Sequence, residues 1–289
     1  MRRSAFLGGA LAATLAPAAA CAQPSIAVAD LCAQIPGVTG LVARTMDGAP
    51  PIAQLHAHEQ FPSASVIKLA IMATVYRAYD AGTTSPEQMI RTRASDLIGG
   101  SDVLAGSPPG KAWSIDELVK AMIHVSDNSA SNTLITAFGM GTINATMRHA
   151  GMTNSRLARH FADVVPAWEV SKNVVTPADV ATLLYTIERG AREGIPTIAS
   201  PRSCRAMVDV LLGNDDGSKI VRGLPAGTPC AHKTGEIDGV RNDAGIIDPF
   251  GDLPYILVVL TKELDDTSAG NAGIAAIAHR VDADLRRAG

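Results

Sequence analysis

Three short runs in this chain carry side chains that could do chemistry together: Ser65-Val66-Ile67-Lys68, Ser126-Asp127-Asn128 and Lys233-Thr234-Gly235. The first is the most informative. Lys68 interrupts an otherwise apolar stretch from Ser65 to Val75, and Pro62-Ser63 ahead of it is helix-start chemistry. A helix that is apolar on nearly every face belongs in a core, where a lone ammonium is costly to desolvate. Ser65 lies three residues before Lys68, so the two side chains share one face about a turn apart. Burial pushes a lysine toward its neutral, basic form, and a hydroxyl beside such an amine is an activated nucleophile. The pair points to a serine hydrolase.

Taken alone, Ser-x-x-Lys arises by chance roughly once in a chain of this length. A lysine snorkelling at a helix edge would account for it as well. The two later runs change that balance, because they add a second hydroxyl, an amide, a second ammonium and another hydroxyl. All three in this order arise by chance in on the order of one chain in a thousand or fewer.

The elements that must position these groups fall into strands at both ends and helices between. Val38 to Thr45 and Ile52 to His56 read as strands joined by the turn Asp47-Gly48-Ala49-Pro50. Ser114 caps a helix from Ile115 to His124, with Glu117 completing a capping box. Helices over Ala130 to Phe138 and Pro177 to Arg189 follow. Thr228 to Glu236 and Val240 to Ile247 flank Asp238-Gly239, a two-residue hairpin signal. Tyr255 to Lys262 is a third, strongly apolar strand, and Asn271 to Arg287 closes the chain as a helix. The expected fold is α/β (α+β): one antiparallel sheet built from both chain ends, flanked by helices, with an all-helical part inserted. The sheet part spans about residues 23–62 and 200–289, the helical part about 63–199. Ser65 enters the helical part, Ser126 belongs to it and Lys233 comes from the sheet, so a site would lie in the cleft where they meet.

Composition narrows the function further. Arg2 and Arg3 followed by the uncharged apolar run Ala5 to Ala20 read as an export signal, with Ala20-Cys21-Ala22 as a small-residue cleavage site. The paired arginines loosely resemble a twin-arginine signal. Ala18-Ala19-Ala20-Cys21 could instead be a degenerate lipoprotein box, with Cys21 as the anchor. Either way the expected place of action is outside the cytoplasm, periplasmic or secreted, with no integral membrane segment after cleavage. Loss of the first 22 residues removes two arginines and no acid, so the net charge moves from −3 to −5. With no basic stripe and 4% aromatic residues, nucleic acid is not an expected partner. A Cys204–Cys230 bridge is open in an oxidising compartment. His56 and His58 alternate on what reads as a strand but lack a third ligand, so no metal is expected, and no cofactor.

The three runs in this order resemble the signature of class A β-lactamases and penicillin-binding proteins. The likeness covers essentially all of residues 23–289. Its densest stretch runs from Trp113-Ser114-Ile115-Asp116-Glu117-Leu118 to Ser126-Asp127-Asn128-Ser129-Ala130-Ser131-Asn132. His232-Lys233-Thr234-Gly235 and Gly239-Val240-Arg241-Asn242-Asp243-Ala244-Gly245 look more like the broad class A-related serine hydrolases. The resemblance implies a β-lactamase/transpeptidase-like fold, a small-molecule β-lactam or D-alanyl peptide-like substrate, and a monomer. It implies that Ser65 attacks a carbonyl to form an acyl-enzyme and that Lys68 takes or relays its proton. Ser126 would pass a proton to the leaving nitrogen, with Lys233 fixing its hydroxyl and supplying positive charge. The backbone N–H groups of Ser65 and Glu236 would form an oxyanion hole. Asn128 would bind a substrate amide carbonyl, and Thr234, beside Gly235, would hold its carboxylate together with Arg241. A surface arginine just after a turn accounts for Arg241 equally well.

One departure bears on release of the acyl group. Class A enzymes carry a loop glutamate that activates the hydrolytic water. Aligning Arg156-Leu157-Ala158-Arg159 without gaps puts Phe161 at that place, with Asp163 two residues on. A gapped alternative matches Trp168-Glu169-Val170-Ser171-Lys172-Asn173 to the family's loop and leaves only Val174-Val175 before Thr176-Pro177. Glu169 and Asp163 are both candidates for the base, and either could be a solvated loop acid. A carboxylate there is worth about a hundred- to ten-thousand-fold in deacylation. The readings are a serine β-lactamase, a D-alanyl peptidase or esterase that releases β-lactams poorly, and a β-lactam sensor.

Overall fold

The computed structural model describes residues 26–99, 103–104, 106–162 and 172–288. Both candidate loop acids, Asp163 and Glu169, lie outside the described residues, as does the expected export signal. The elements run α1 (Ile26–Ala33), β1 (Val38–Thr45), β2 (Ala53–Leu55), β3 (Phe61–Pro62), and a 3-10 turn Ala64–Ile67 leading into α2 (Lys68–Asp80). Next come β4 (Met89–Arg91), β5 (Ala112–Ser114), α3 (Ile115–His124), α4 (Asn128–Phe138), α5 (Met140–His149) and β6 (Val174–Val175). The rest is α6 (Pro177–Glu193), α7 (Pro201–Leu212), α8 (Ile220–Gly223), β7 (Cys230–Ile237), β8 (Val240–Ile247), β9 (Tyr255–Lys262) and α9 (Thr267–Ala288).

The main sheet has the order β2-β1-β9-β8-β7, and every pairing in it is antiparallel. The first and last strands of the chain therefore lie side by side, with Val38 opposite Lys262 and Thr45 opposite Tyr255. Successive side chains of a strand face opposite ways, and β9 is apolar on both faces. Ile256, Val258 and Leu260 enter the core shared with the helices, whereas Tyr255, Leu257 and Val259 enter a second core under α1 and α9. Each such side chain contributes about 1.5–3 kcal/mol of hydrophobic stabilisation when fully buried.

The same alternation separates the cysteines. Cys204 lies in the helix-side core and Cys230 in the opposite one, so the bridge left open by the sequence does not form; Cys32, Cys204 and Cys230 are free and buried. The two histidines also differ from expectation. β2 stops at Leu55, His56 adopts φ +44° with its Nδ1 3.0 Å from the Thr39 carbonyl, and His58 falls in the following turn. Among the described residues, no helix is long and apolar enough to cross a membrane.

Candidate active site

The Ser65 turn is built by contacts from three directions. Ala64, just ahead of Ser65, sits at φ +42°, a conformation that costs a non-glycine residue about 1–3 kcal/mol and persists only where its surroundings impose it. The Ser63 N–H donates to the Asn173 carbonyl at 2.9 Å, and the Val66 N–H donates to the Ser63 carbonyl at 3.0 Å. From the sheet, Asn242 Nδ2 donates to the Pro62 carbonyl at 2.9 Å and the Ser63 carbonyl at 3.3 Å. Its Oδ1 accepts from the Thr261 N–H at 2.9 Å, so this buried amide stitches the turn to the sheet. β7 comes close enough to leave no room for a side chain at Gly235. A Cβ there would lie 2.9 Å from the Ser65 nitrogen and 3.1 Å from both the Ala64 Cβ and the Val66 nitrogen.

Ser126 precedes α4 in a second imposed conformation, φ +58°. Asp127 holds it there: its Oδ1 caps α4 through the Ala130 N–H at 2.8 Å, and its Oδ2 accepts from the Val103 and Leu104 N–H groups at 3.0 and 2.9 Å. The acid of the Ser-Asp-Asn run is thus spent on backbone.

Lys68 links these two strained turns. It is fully buried, and its Nζ donates to the Ser126 carbonyl at 2.7 Å, the Ser126 Oγ at 3.1 Å and the Asn128 Oδ1 at 2.8 Å. Burial, reinforced by the nearby Lys233 ammonium and opposed by Asp127, holds its pKa well below that of an ordinary lysine. Lys233 is also fully buried and donates to the Thr234 carbonyl at 3.0 Å. Burial lowers it to about 8, with Asp243 and Asp216 pulling the other way. The site therefore holds one amine biased toward its neutral form and a second that titrates near neutrality.

Ser65, Ser126, Asn128, Lys233, Thr234, Gly235 and Glu236 line one continuous cleft. Arg241 is not among the residues lining the cleft: its Nη1 donates to the Ile237 and Val240 carbonyls at 3.0 and 2.8 Å, which ties the guanidinium to its own hairpin, and its Nε lies 3.7 Å from Glu236 Oε1. On the loop side, Phe161 also lines the cleft, and its ring centre lies 4.6 Å from Lys68 Nζ. Asn132 clasps the Phe161 backbone from both sides, accepting from its N–H at 2.8 Å and donating to its carbonyl at 3.0 Å. The Asn173 side chain accepts from the Ala158 and Arg159 N–H groups at 2.8 and 3.0 Å, so it closes the neck of the loop.

Sequence reasoning missed Asn242 and Lys219 as residues of the site region, and met Asn173 only as the end of the gapped loop match. Lys219 is fully buried, with its Nζ 2.6 Å from Glu236 Oε1. Only a charged residue next to the apolar Ile220-Val221 could have drawn attention to it.

A nucleophilic hydroxyl, a neutral-leaning buried amine, a second hydroxyl bonded to that amine and a facing strand with its own lysine define a serine hydrolase built for acyl transfer. The sequence matches the Beta-lactamase enzyme family over residues 23–283, and the chain belongs to that family. A β-lactamase from Sphaerobacter thermophilus is similar, with 31% identity over 90% of this chain and 95% of that one, and a TM-score of 0.79. PBP-A shares 25% identity over 90% and 95% of the two chains with a TM-score of 0.81, and one solved form of it is a mutant's acyl-enzyme complex with penicillin G. An ancestral class A β-lactamase shares 27% identity over 89% and 98%, with a TM-score of 0.79.

Proposed function

We propose that this hydrolase is a serine β-lactamase that opens the β-lactam amide through an acyl-enzyme on Ser65. The observation that carries the reading is the Lys68 ammonium site. Its Nζ reaches Ser126 Oγ at 3.1 Å from one helical turn beyond Ser65, in surroundings that favour the neutral amine. In the proposed reaction Ser65 Oγ bonds to the lactam carbonyl carbon while Lys68 accepts its proton. The C–N bond then breaks as Ser126 donates a proton to the nitrogen, replenished from Lys68. In this reading the backbone N–H groups of Ser65 and Glu236 receive the developing oxyanion, an effect worth about 2.7–4 kcal/mol per donor in related chemistry. Water then hydrolyses the ester, with Glu169 or Asp163 as its base. The same proposal puts this activity outside the cytoplasm, a reading supported by the signal-like sequence of the N-terminus.

A second reading has one specific observation behind it. Among the described residues, the Phe161 ring stands over Lys68, and the ungapped register puts Phe161 at the place of the family's loop glutamate. Acylation would then outrun release, as in a D-alanyl peptidase that is acylated by β-lactams. PBP-A, whose mutant forms an acyl-enzyme with penicillin G, is similar throughout.

Mixing the purified protein with a chromogenic cephalosporin, while following colour and intact mass, tests both readings. Sustained turnover establishes the β-lactamase. A one-equivalent burst with a lasting adduct on Ser65 establishes the second reading. Labelling that survives Ser65→Ala overturns both.

A further inference from the structure

A second cavity lies at the far end of α2 from Lys68. Lys68 is the first residue of that helix, whereas Tyr76, Tyr79 and Asp80, which line the cavity, come roughly 12–18 Å further along its axis. The cavity measures about 390 Å³, a size usual for small-molecule sites, and Asp116 of α3 with Arg202 and Ala206 of α7 complete it. None of these residues lines the cleft that holds Ser65.

The lining combines aromatic rings with carboxylates. The Tyr76 and Tyr79 rings pack edge to face, with centres 5.2 Å apart and planes at 76°. Tyr76 is only 7% exposed, yet its hydroxyl has no hydrogen-bond partner among the described residues, and the buried Tyr79 hydroxyl has none either. Such groups are costly to leave unmatched. Burial, reinforced by Asp116 and Asp209, pushes the Tyr76 hydroxyl up to about 12, so it stays a neutral phenol whose oxygen can accept. Asp80 accepts from the Ser200 N–H and Oγ at 2.6 and 2.7 Å and from the Ser203 Oγ at 2.6 Å. Against its burial, these bonds hold its carboxyl below the usual range and fix its charge. Asp116 carries a freer charge: its ion-pair partner Lys120, 2.7 Å away, is 52% exposed, and surface pairs of this kind are weak. Arg202 is exposed and is the one basic side chain of the lining among the described residues. Two carboxylates against one solvated guanidinium leave the cavity net negative.

A molecule that fits this space needs an apolar body to meet the rings and a positive N–H donor to meet the phenol oxygen and the carboxylates. Ring faces attract cations as well. We propose that the cavity is a binding site for a small amphipathic organic cation, a primary ammonium on an apolar or aromatic body. The ammonium sits between Asp116 and the Tyr76 hydroxyl, and the body lies against the two tyrosine rings. The site is separate from Ser65, so the inference goes beyond the acyl-transfer reading and does not depend on it.

The test titrates the isotopically labelled full chain with benzylammonium, benzyl alcohol and benzoate in turn, followed by amide NMR. Benzylammonium should give saturable shifts at the Tyr76–Asp80 and Asp116 amides with a Kd of about 20 mM or tighter, the value expected for so small a ligand. Benzyl alcohol should bind at least about threefold more weakly, and benzoate more weakly still. Asp116→Asn should weaken benzylammonium roughly three- to tenfold and leave the alcohol unchanged. Ala206→Leu, which fills the cavity, should remove binding of both; if that variant does not fold, Asp116→Asn decides alone. No saturable shift at these amides overturns the proposal. So does a preference for benzoate or the alcohol, or a preference for the cation that Asp116→Asn leaves unchanged.

Discussion

The Lys68 ammonium lies 4.6 Å from the centre of the Phe161 ring, so an aromatic face covers the amine on the loop side of the cleft. Ring faces attract cations, yet the ring also excludes water, and burial is the leading cause of the depressed Lys68 pKa. Exclusion of water wins here, because burial is the largest cause of the shift and biases the amine toward its neutral form.

Phe161→Ala should admit water to Lys68 and raise its pKa. The acidic limb of the acylation profile, which needs the neutral amine, should then move to higher pH. Stopped-flow acylation between pH 5 and 9 would show it, and an unmoved limb would free Phe161 of this role.

Asp127→Asn should act in the opposite sense on the same limb, since Asp127 is the charge that raises Lys68. It also removes the charge from a carboxylate that accepts three backbone N–H groups. A stability loss of about 1–3 kcal/mol should accompany the shift, read from thermal unfolding.

Gly235→Ala forces a methyl against the Ser65 and Val66 backbone nitrogens, which cannot move aside as a flexible side chain would. Overpacking of this kind costs about 1–3 kcal/mol. The larger effect should be on acylation, because the displaced atoms include the Ser65 N–H. A fall of a hundredfold or more in the labelling rate, with the fold retained by circular dichroism, is the expected result.

Asp243→Asn removes a charge that holds up the pKa of Lys233, which burial has already lowered to about 8. Lys233 should then lose its proton at lower pH, and the alkaline limb of acylation should move down with it. The linked stability effect has a definite sign. Lys233 titrates in the folded state below the ordinary lysine value, so its cost to the fold is present at pH below about 8 and is relieved as pH rises from there toward 10.5. Denaturant unfolding across that range should show stability from this group rising with pH, more so at lower pH in the variant.

The chain wrote its framework plainly. The periods of Val38–Thr45, Val240–Ile247 and Tyr255–Lys262 matched the observed strands, and Ser114 with Glu117 marked a helix start whose capping bonds are present. Helices α5 and α7 were not recognised, since their apolar positions gain meaning only against neighbouring helices. The nucleophile and its amine were legible because Ser-x-x-Lys is local, and two helix positions one turn apart need no tertiary information. Asn242 and Asn173 were not, because each acts on residues well removed in sequence, and Lys219 was not, because its bond to the site strand is with Glu236. A single asparagine or lysine carries no periodic signature that could point to such a partner. The Cys204–Cys230 pair misled for a related reason, since spacing does not say which face of a sheet a thiol meets.

The pairing of β1 with β9 has a consequence for how the molecule comes into being. The nucleophile sits near the N-terminus, its facing lysine lies on an edge strand far along the chain, and the central strand that joins the two halves is among the last to be made. Contacts so distant in sequence close large loops and make folding slow. A nascent or truncated chain can therefore form helices around Ser65 without yet owning a reactive serine. On the proposed function, reactivity arrives only with the final strand, which would make covalent labelling of Ser65 a reporter of completed folding as much as of chemistry.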